Sequence, residues 1–94
     1  MTLSLQSTKT LNNGVKIPIL GLGTFLSKGN ELKQAILWAL DAGYRHLDTA
    51  SFYENEQMIG ETLKIAPISR DNLFRTTKIW NSDQGFDETL KACD

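Results

Sequence analysis

The stretch Gly43-Tyr44-Arg45-His46-Leu47-Asp48-Thr49-Ala50-Ser51-Phe52-Tyr53 constrains this chain more than any other part of it. The glycine follows a run with helical spacing, and glycine takes the left-handed conformation at a helix C-terminus without steric penalty. A short strand over residues 44–48 comes next, with an aspartate at its end and a tyrosine five residues later. Helix, stop, strand and polar loop in so few residues imply a βα-type arrangement that holds an acid and a phenol at the mouth of a sheet.

The rest of the chain repeats that alternation. Leu32, Ala35, Ile36, Ala39 and Leu40 recur at helical spacing and predict a helix over residues 31–42, with Asn30 as its N-cap and Leu37 and Trp38 on its flank. A second helix opens at Asn55, turns Ile59 and Leu63 inward, lets Gly60 approach a neighbour closely and is bounded by Pro67. Residues 19–23 and 73–79 read as apolar and β-branched strands. Ahead of them, Asn13-Gly14 between alternating residues predicts a hairpin with a tight I′ turn, ended by Pro18. Past a polar loop at residues 81–85, Phe86, Leu90 and Cys93 share one face of a last helix, which reaches Asp94 without a stop signal.

Alternating strands and helices predict a parallel sheet with right-handed crossovers. A doubly wound nucleotide-binding fold wants Gly-x-Gly-x-x-Gly after its first strand; here Gly21 and Gly23 are followed by Leu26, and the phosphate cradle is incomplete. A leading hairpin able to plug the bottom of a barrel favours the alternative, a (β/α)₈ architecture. With 94 residues the chain is one small domain at most, and a chain this short buries only about 60 to 65% of its unfolded surface. A net charge of -1 gives no electrostatic reason to expect nucleic acid or an anionic membrane as partner. No basic cluster leads into an apolar run, and no uncharged stretch is long enough to span a bilayer. One cysteine, Cys93, fits a reducing compartment, most simply the cytoplasm.

In a barrel the chemistry lies at the carboxyl ends of the strands. Gly23-Thr24-Phe25, Asp48 with Tyr53, and Lys78 with Trp80 all fall there. Taken singly, Asp48 reads as a turn cap, Lys78 as an edge charge, Tyr53 as a half-buried aromatic, and Trp80 and Phe25 equally as core rim or pocket wall. His46, inside the strand, reads as structural. Neighbouring strands lie about 4.8 Å apart, so the three groups can meet. An ammonium beside a phenol stabilises the phenolate and lowers its pKa, and a carboxylate keeps the ammonium charged and in place. The expected result is a tyrosine able to protonate a developing alkoxide.

At these residues the sequence resembles the aldo-keto reductase family. Ile19-Leu20-Gly21-Leu22-Gly23-Thr24-Phe25, Gly43 through Glu56, and Leu73-Phe74-Arg75-Thr76-Thr77-Lys78-Ile79-Trp80-Asn81 look like the opening three strands of that family's barrel, in order and with matching spacing. The resemblance implies an α/β fold, the N-terminal portion of a (β/α)₈ TIM barrel with a leading hairpin and about three βα units. It implies NADPH-dependent reduction of small aldehydes and ketones, with NADPH/NADP+ as cofactor and no metal. Tyr53 is then the proton donor, Lys78 and Asp48 its support, Gly23, Thr24 and Asp48 the contacts to the nicotinamide end, and Trp80 and Phe25 the substrate pocket. Phe25 stands where many relatives carry tryptophan.

The family's catalytic histidine follows the fourth strand and has no counterpart here, and His46 lies too early to take its place. Residues 1–94 are therefore expected to form a single partial domain cut in its third helix, with unpaired sheet edges that favour self-association. Two readings stand side by side. The chemistry belongs to a longer reductase chain, and the 94 residues alone are inactive; or the 94 residues are a non-catalytic remnant acting as an interaction or structural fragment.

Overall fold

A strand sends successive side chains to opposite faces of its sheet, so His46-Leu47-Asp48 must bury one residue and turn two the other way. The computed structural model, which describes residues 2–94, shows this: β4 (His46–Asp48) buries Leu47, 1% exposed, and leaves its neighbours half-buried on the opposite face. It is the centre of a parallel sheet in the order β3-β4-β5, flanked by β3 (Leu22–Gly23) and β5 (Phe74–Thr76). The register pairs Leu22 and Arg75 with Leu47, and Gly23 and Thr76 with Asp48. Each row keeps one face, so Gly23, Asp48 and Thr76 line the side away from the helices.

The helices α1 (Gly29–Ala42) and α2 (Glu56–Ile65) pack together on the other side. Leu32, Ile36 and Leu40 of α1, Ile59 of α2, and Leu47 and Leu73 form the core. Gly43 ends α1 as expected, left-handed at φ 112°, and the chain folds back so that the Gly43 and Tyr44 amides donate to the Leu40 and Ala39 carbonyls. The start of α1 differs from expectation: Asn30 lies inside the helix, and Lys28 takes the N-cap position without a side-chain bond.

Ahead of the sheet, β1 (Thr8–Thr10) and β2 (Lys16–Pro18) form an antiparallel ribbon. Its turn is not type I′, which needs positive φ at both central residues. Only Gly14 is left-handed, while the Gly14 amide donates to the Leu11 carbonyl and the Leu11 amide to that of Val15. This is a three-residue loop with glycine at its left-handed end. Pro18 is the last residue of β2, as expected, and beyond it the Ile19 amide still donates to the Ser7 carbonyl.

His46 ties this ribbon to the sheet. One ring nitrogen meets the Pro18 carbonyl at 3.2 Å and the other the Thr76 hydroxyl at 2.8 Å, and the ring packs edge-on against Phe74. The carbonyl can only accept, so Nδ1 carries a proton there. A side chain at Gly21 would come within 3.0 Å of this ring, which explains the glycine. His46 is structural, as its strand setting suggests.

The strands are shorter than residues 19–23, 44–48 and 73–79. After Asp48 the chain leaves the sheet for a 3-10 turn, Ser51–Tyr53, and past Thr76 only the Ser51 amide and hydroxyl reach the Lys78 carbonyl, each at 3.2 Å. The last helix, α3 (Phe86–Cys93), forms as its spacing predicts, but none of its residues is buried and Phe86 is 82% exposed. Among the described residues the sheet stays open at both edges, and no helix is long and apolar enough to cross a membrane.

At Gly43 an added Cβ would face a left-handed backbone and the Gln6 and Leu5 side chains at 3.2 and 3.3 Å. Gly43→Ala should lower stability by about 1 kcal/mol or more in urea unfolding.

Candidate active site

Lys78 lies two residues past β5, Asp48 at the end of β4 and Tyr53 at the end of the 3-10 turn. The structure brings the three together. The Lys78 ammonium donates to Asp48 Oδ1 at 2.5 Å, to the Thr49 carbonyl at 3.0 Å and, more weakly, to the Tyr53 hydroxyl at 3.4 Å. Three donors meet three acceptors, so the ammonium is fully engaged. It also stands 5.2 Å from the Tyr53 ring centroid.

The hydrogen bond that Lys78 donates to Asp48 raises the Lys78 pKa above its ordinary 10.5, with smaller support from Tyr53 and against a desolvation that pulls it down. Lys78 is therefore a permanent cation at neutral pH. A raised lysine pKa means that the pair's contribution to folding is complete below 10.5 and is lost as pH climbs through the folded-state value. Both partners are nearly half exposed, so solvent screening keeps that contribution small.

Two further sets of groups define the mouth. The Phe25 and Tyr53 rings lie 5.1 Å apart, and Phe52 stacks on Trp80 at 3.9 Å with planes 21° apart. A shallow pocket of about 220 Å³ is lined in part by Phe52, Tyr53, Lys78 and Trp80. A cleft of about 240 Å³ on the opposite face, between α2 and β5, holds none of the three central residues.

Thr24, expected at the cofactor, stands beside Asp48 at the strand ends. It is fully buried, and its amide and hydroxyl both donate to the Asp48 carbonyl, at 3.1 and 3.0 Å. It fixes the main chain of Asp48 from below. Gly23 is exposed, and nothing lies within 4 Å of where its Cβ would stand, so the space above it is open.

Two residues escaped the sequence reading. Asn55 opens α2 as expected but makes no side-chain capping bond; it is 5% exposed, and its amide donates to the Thr24 and Ser27 carbonyls while accepting from the Thr49 hydroxyl. The other is Phe52, beside Tyr53, whose ring stacks on Trp80. An asparagine that precedes a helix looks the same in sequence whether it caps or reaches inward; for Phe52, an aromatic next to a catalytic candidate was the available signal.

Residues 19–93 match the aldo/keto reductase family, and the chain belongs to that family. Glyoxal reductase of Bacillus subtilis is 44% identical over 93 residues, covering 98% of this chain and 34% of that protein. An aldo/keto reductase from Brucella melitensis superimposes with a TM-score of 0.86 at 47% identity, over 93% of this chain and 34% of its own. A Bombyx mori aldo-keto reductase in complex with NADP gives 0.80 at 38% identity, over 96% and 33%. The chain thus spans about a third of the length of the relatives it matches. Its fold is the N-terminal portion of their (β/α)₈ barrel, the leading ribbon and the first βα units.

Asp48→Asn should return the Lys78 titration toward 10.5, followed by NMR at the lysine side chain; an unchanged titration counts against the pairing described here.

Proposed function

We propose that this segment is the acid-delivering part of an NADPH-dependent reductase of small aldehydes and ketones. The observation that carries the reading is the single ammonium of Lys78 shared between the Asp48 carboxylate and the Tyr53 phenol. Asp48 holds the ammonium charged and in place. Lys78, donating to the phenolic oxygen, sets a positive charge beside it where negative charge develops as the proton leaves. Tyr53 gives that proton to the carbonyl oxygen of the substrate as it becomes an alkoxide. Family membership, and neighbours solved with NADP and NADPH, support the cofactor assignment.

The residues present fit the nicotinamide end of that cofactor. Open space over Gly23 adjoins Asp48 at the same level of the sheet, and Lys78 links the Asp48 carboxylate to the Tyr53 hydroxyl. Gly23 and Asp48 would line it, and Thr24 would hold Asp48 in position. When bound, the cofactor supplies hydride. Trp80, braced by Phe52, and Phe25 give the substrate an apolar rim.

Residues 1–94 then form one partial domain whose chemistry is completed by later barrel strands, and the 94 residues alone are inactive. A single exposed Cys93 suits a reducing compartment such as the cytoplasm. The open edges of β3 and β5 favour self-association of the isolated segment, through pairing of their free main-chain groups.

In a polypeptide that carries this segment within a whole barrel, Tyr53→Phe should lower kcat for a small aromatic aldehyde at least about 100-fold and leave NADPH binding, read by its fluorescence, nearly unchanged. Lys78→Met should act in the same direction. Wild-type turnover in either variant would refute the assigned roles. The 94-residue chain by itself should consume no NADPH, and its mass by light scattering should rise with concentration; a concentration-independent monomer would count against edge pairing.

A further inference from the structure

Leu26 and Glu54 are the non-glycine residues with positive φ among the described residues, at 62° and 56°. Left-handed backbone is disfavoured for any residue that carries a Cβ. Both lie in the loops that carry the site, Leu26 directly after Phe25 and Glu54 directly after Tyr53. Residues 24–27 close as a β-turn, with the Ser27 amide donating to the Thr24 carbonyl at 3.1 Å. A positive φ at the third position is the type II pattern, which calls for glycine or asparagine there. This chain has leucine, and its side chain is 76% exposed, so no burial of its own offsets the strain.

What holds the turn is the buried amide of Asn55. Its Nδ2 donates to the carbonyls of the first and last residues of the turn, Thr24 at 2.8 Å and Ser27 at 3.0 Å. Its Oδ1 accepts from Thr49, the residue after Asp48, at 3.2 Å. An amide is suited to this task because it offers two donors on one atom and an acceptor on the other. Aspartate, of the same shape, would set a second oxygen against two carbonyl oxygens.

We propose that Asn55 is a positioning residue: its amide clamps the strained turn of residues 24–27 and so holds Phe25 against the Tyr53 ring, setting the width of the mouth through which a carbonyl compound reaches the phenol. The purpose of the clamp rests on Tyr53 being the proton donor, but the clamp itself is read from geometry without cofactor or substrate. A failed reductase assay would therefore leave the following test unaffected.

The 94-residue chain should show nuclear Overhauser contacts between the Phe25 and Tyr53 rings. In Asn55→Asp these contacts should be lost while the methyl shifts of the core residues Leu32, Ile36 and Leu47 stay in place. Leu26→Gly supplies a residue that is left-handed without strain, so the contacts should return in the double variant Asn55→Asp/Leu26→Gly. Retention of the contacts at parental strength in Asn55→Asp, or their absence from the double variant, would overturn the proposal. Should Asn55→Asp alone fail to fold, recovery of the core methyl pattern by Leu26→Gly supports the clamp, and no recovery overturns it.

Discussion

Asp48 is held at both ends, and the arrangement of the strand exits depends on it. Its carbonyl receives two hydrogen bonds from Thr24, which brings the chain leaving β3 against the end of β4. Its carboxylate receives the Lys78 ammonium, which brings in the chain leaving β5. Three strand ends thus converge on one residue whose main chain cannot drift. A slip of one position along β4 would put the carboxylate where Leu47 stands, beneath the helices, because strand side chains alternate between faces.

That alternation also separates stability from chemistry. On the helix side, Leu47 is enclosed by Leu32, Ile36 and Ile59, and burial of apolar surface supplies the cohesion. On the other side stand Gly23, His46, Asp48 and Thr76, where His46 joins the leading ribbon to the sheet through Pro18 and Thr76. The Lys78–Asp48 pair is too exposed to contribute much to folding, and its ammonium also meets the Tyr53 hydroxyl. Family membership gives this division a context: in a (β/α)₈ barrel the outer side of each strand is covered by helices, and active sites lie at the carboxyl ends of the strands.

Much of the fold was legible in the sequence because it rests on local periodicity. Leu32, Ile36 and Leu40 lie on the buried face of α1, and Gly43 ends that helix with the left-handed geometry glycine allows. The convergence of Asp48, Tyr53 and Lys78 was legible too, since strand ends at fixed spacing in successive βα units fall on one side of a parallel sheet. Less legible were features that depend on partners far away in the chain. Asn55 opens α2, yet its reach to Thr24 and Ser27 spans about thirty residues, and nothing in sequence shows the Thr24 hydroxyl turned onto the Asp48 carbonyl. The apolar stripe of α3 predicted the helix, yet whether such a stripe is covered depends on what packs against it.

The sequence by itself therefore determined the order of strands and helices, the family, and the residues that stand at the strand ends, because each depends on short-range spacing and backbone preference. Only the tertiary structure decided how those ends are locked together: that Thr24 supports Asp48, that Lys78 is shared by Asp48 and Tyr53, and that Asn55 grips a turn carrying a left-handed leucine. Those are hydrogen bonds between segments distant in the chain, and their partners are chosen by the packing of the sheet and helices as a whole.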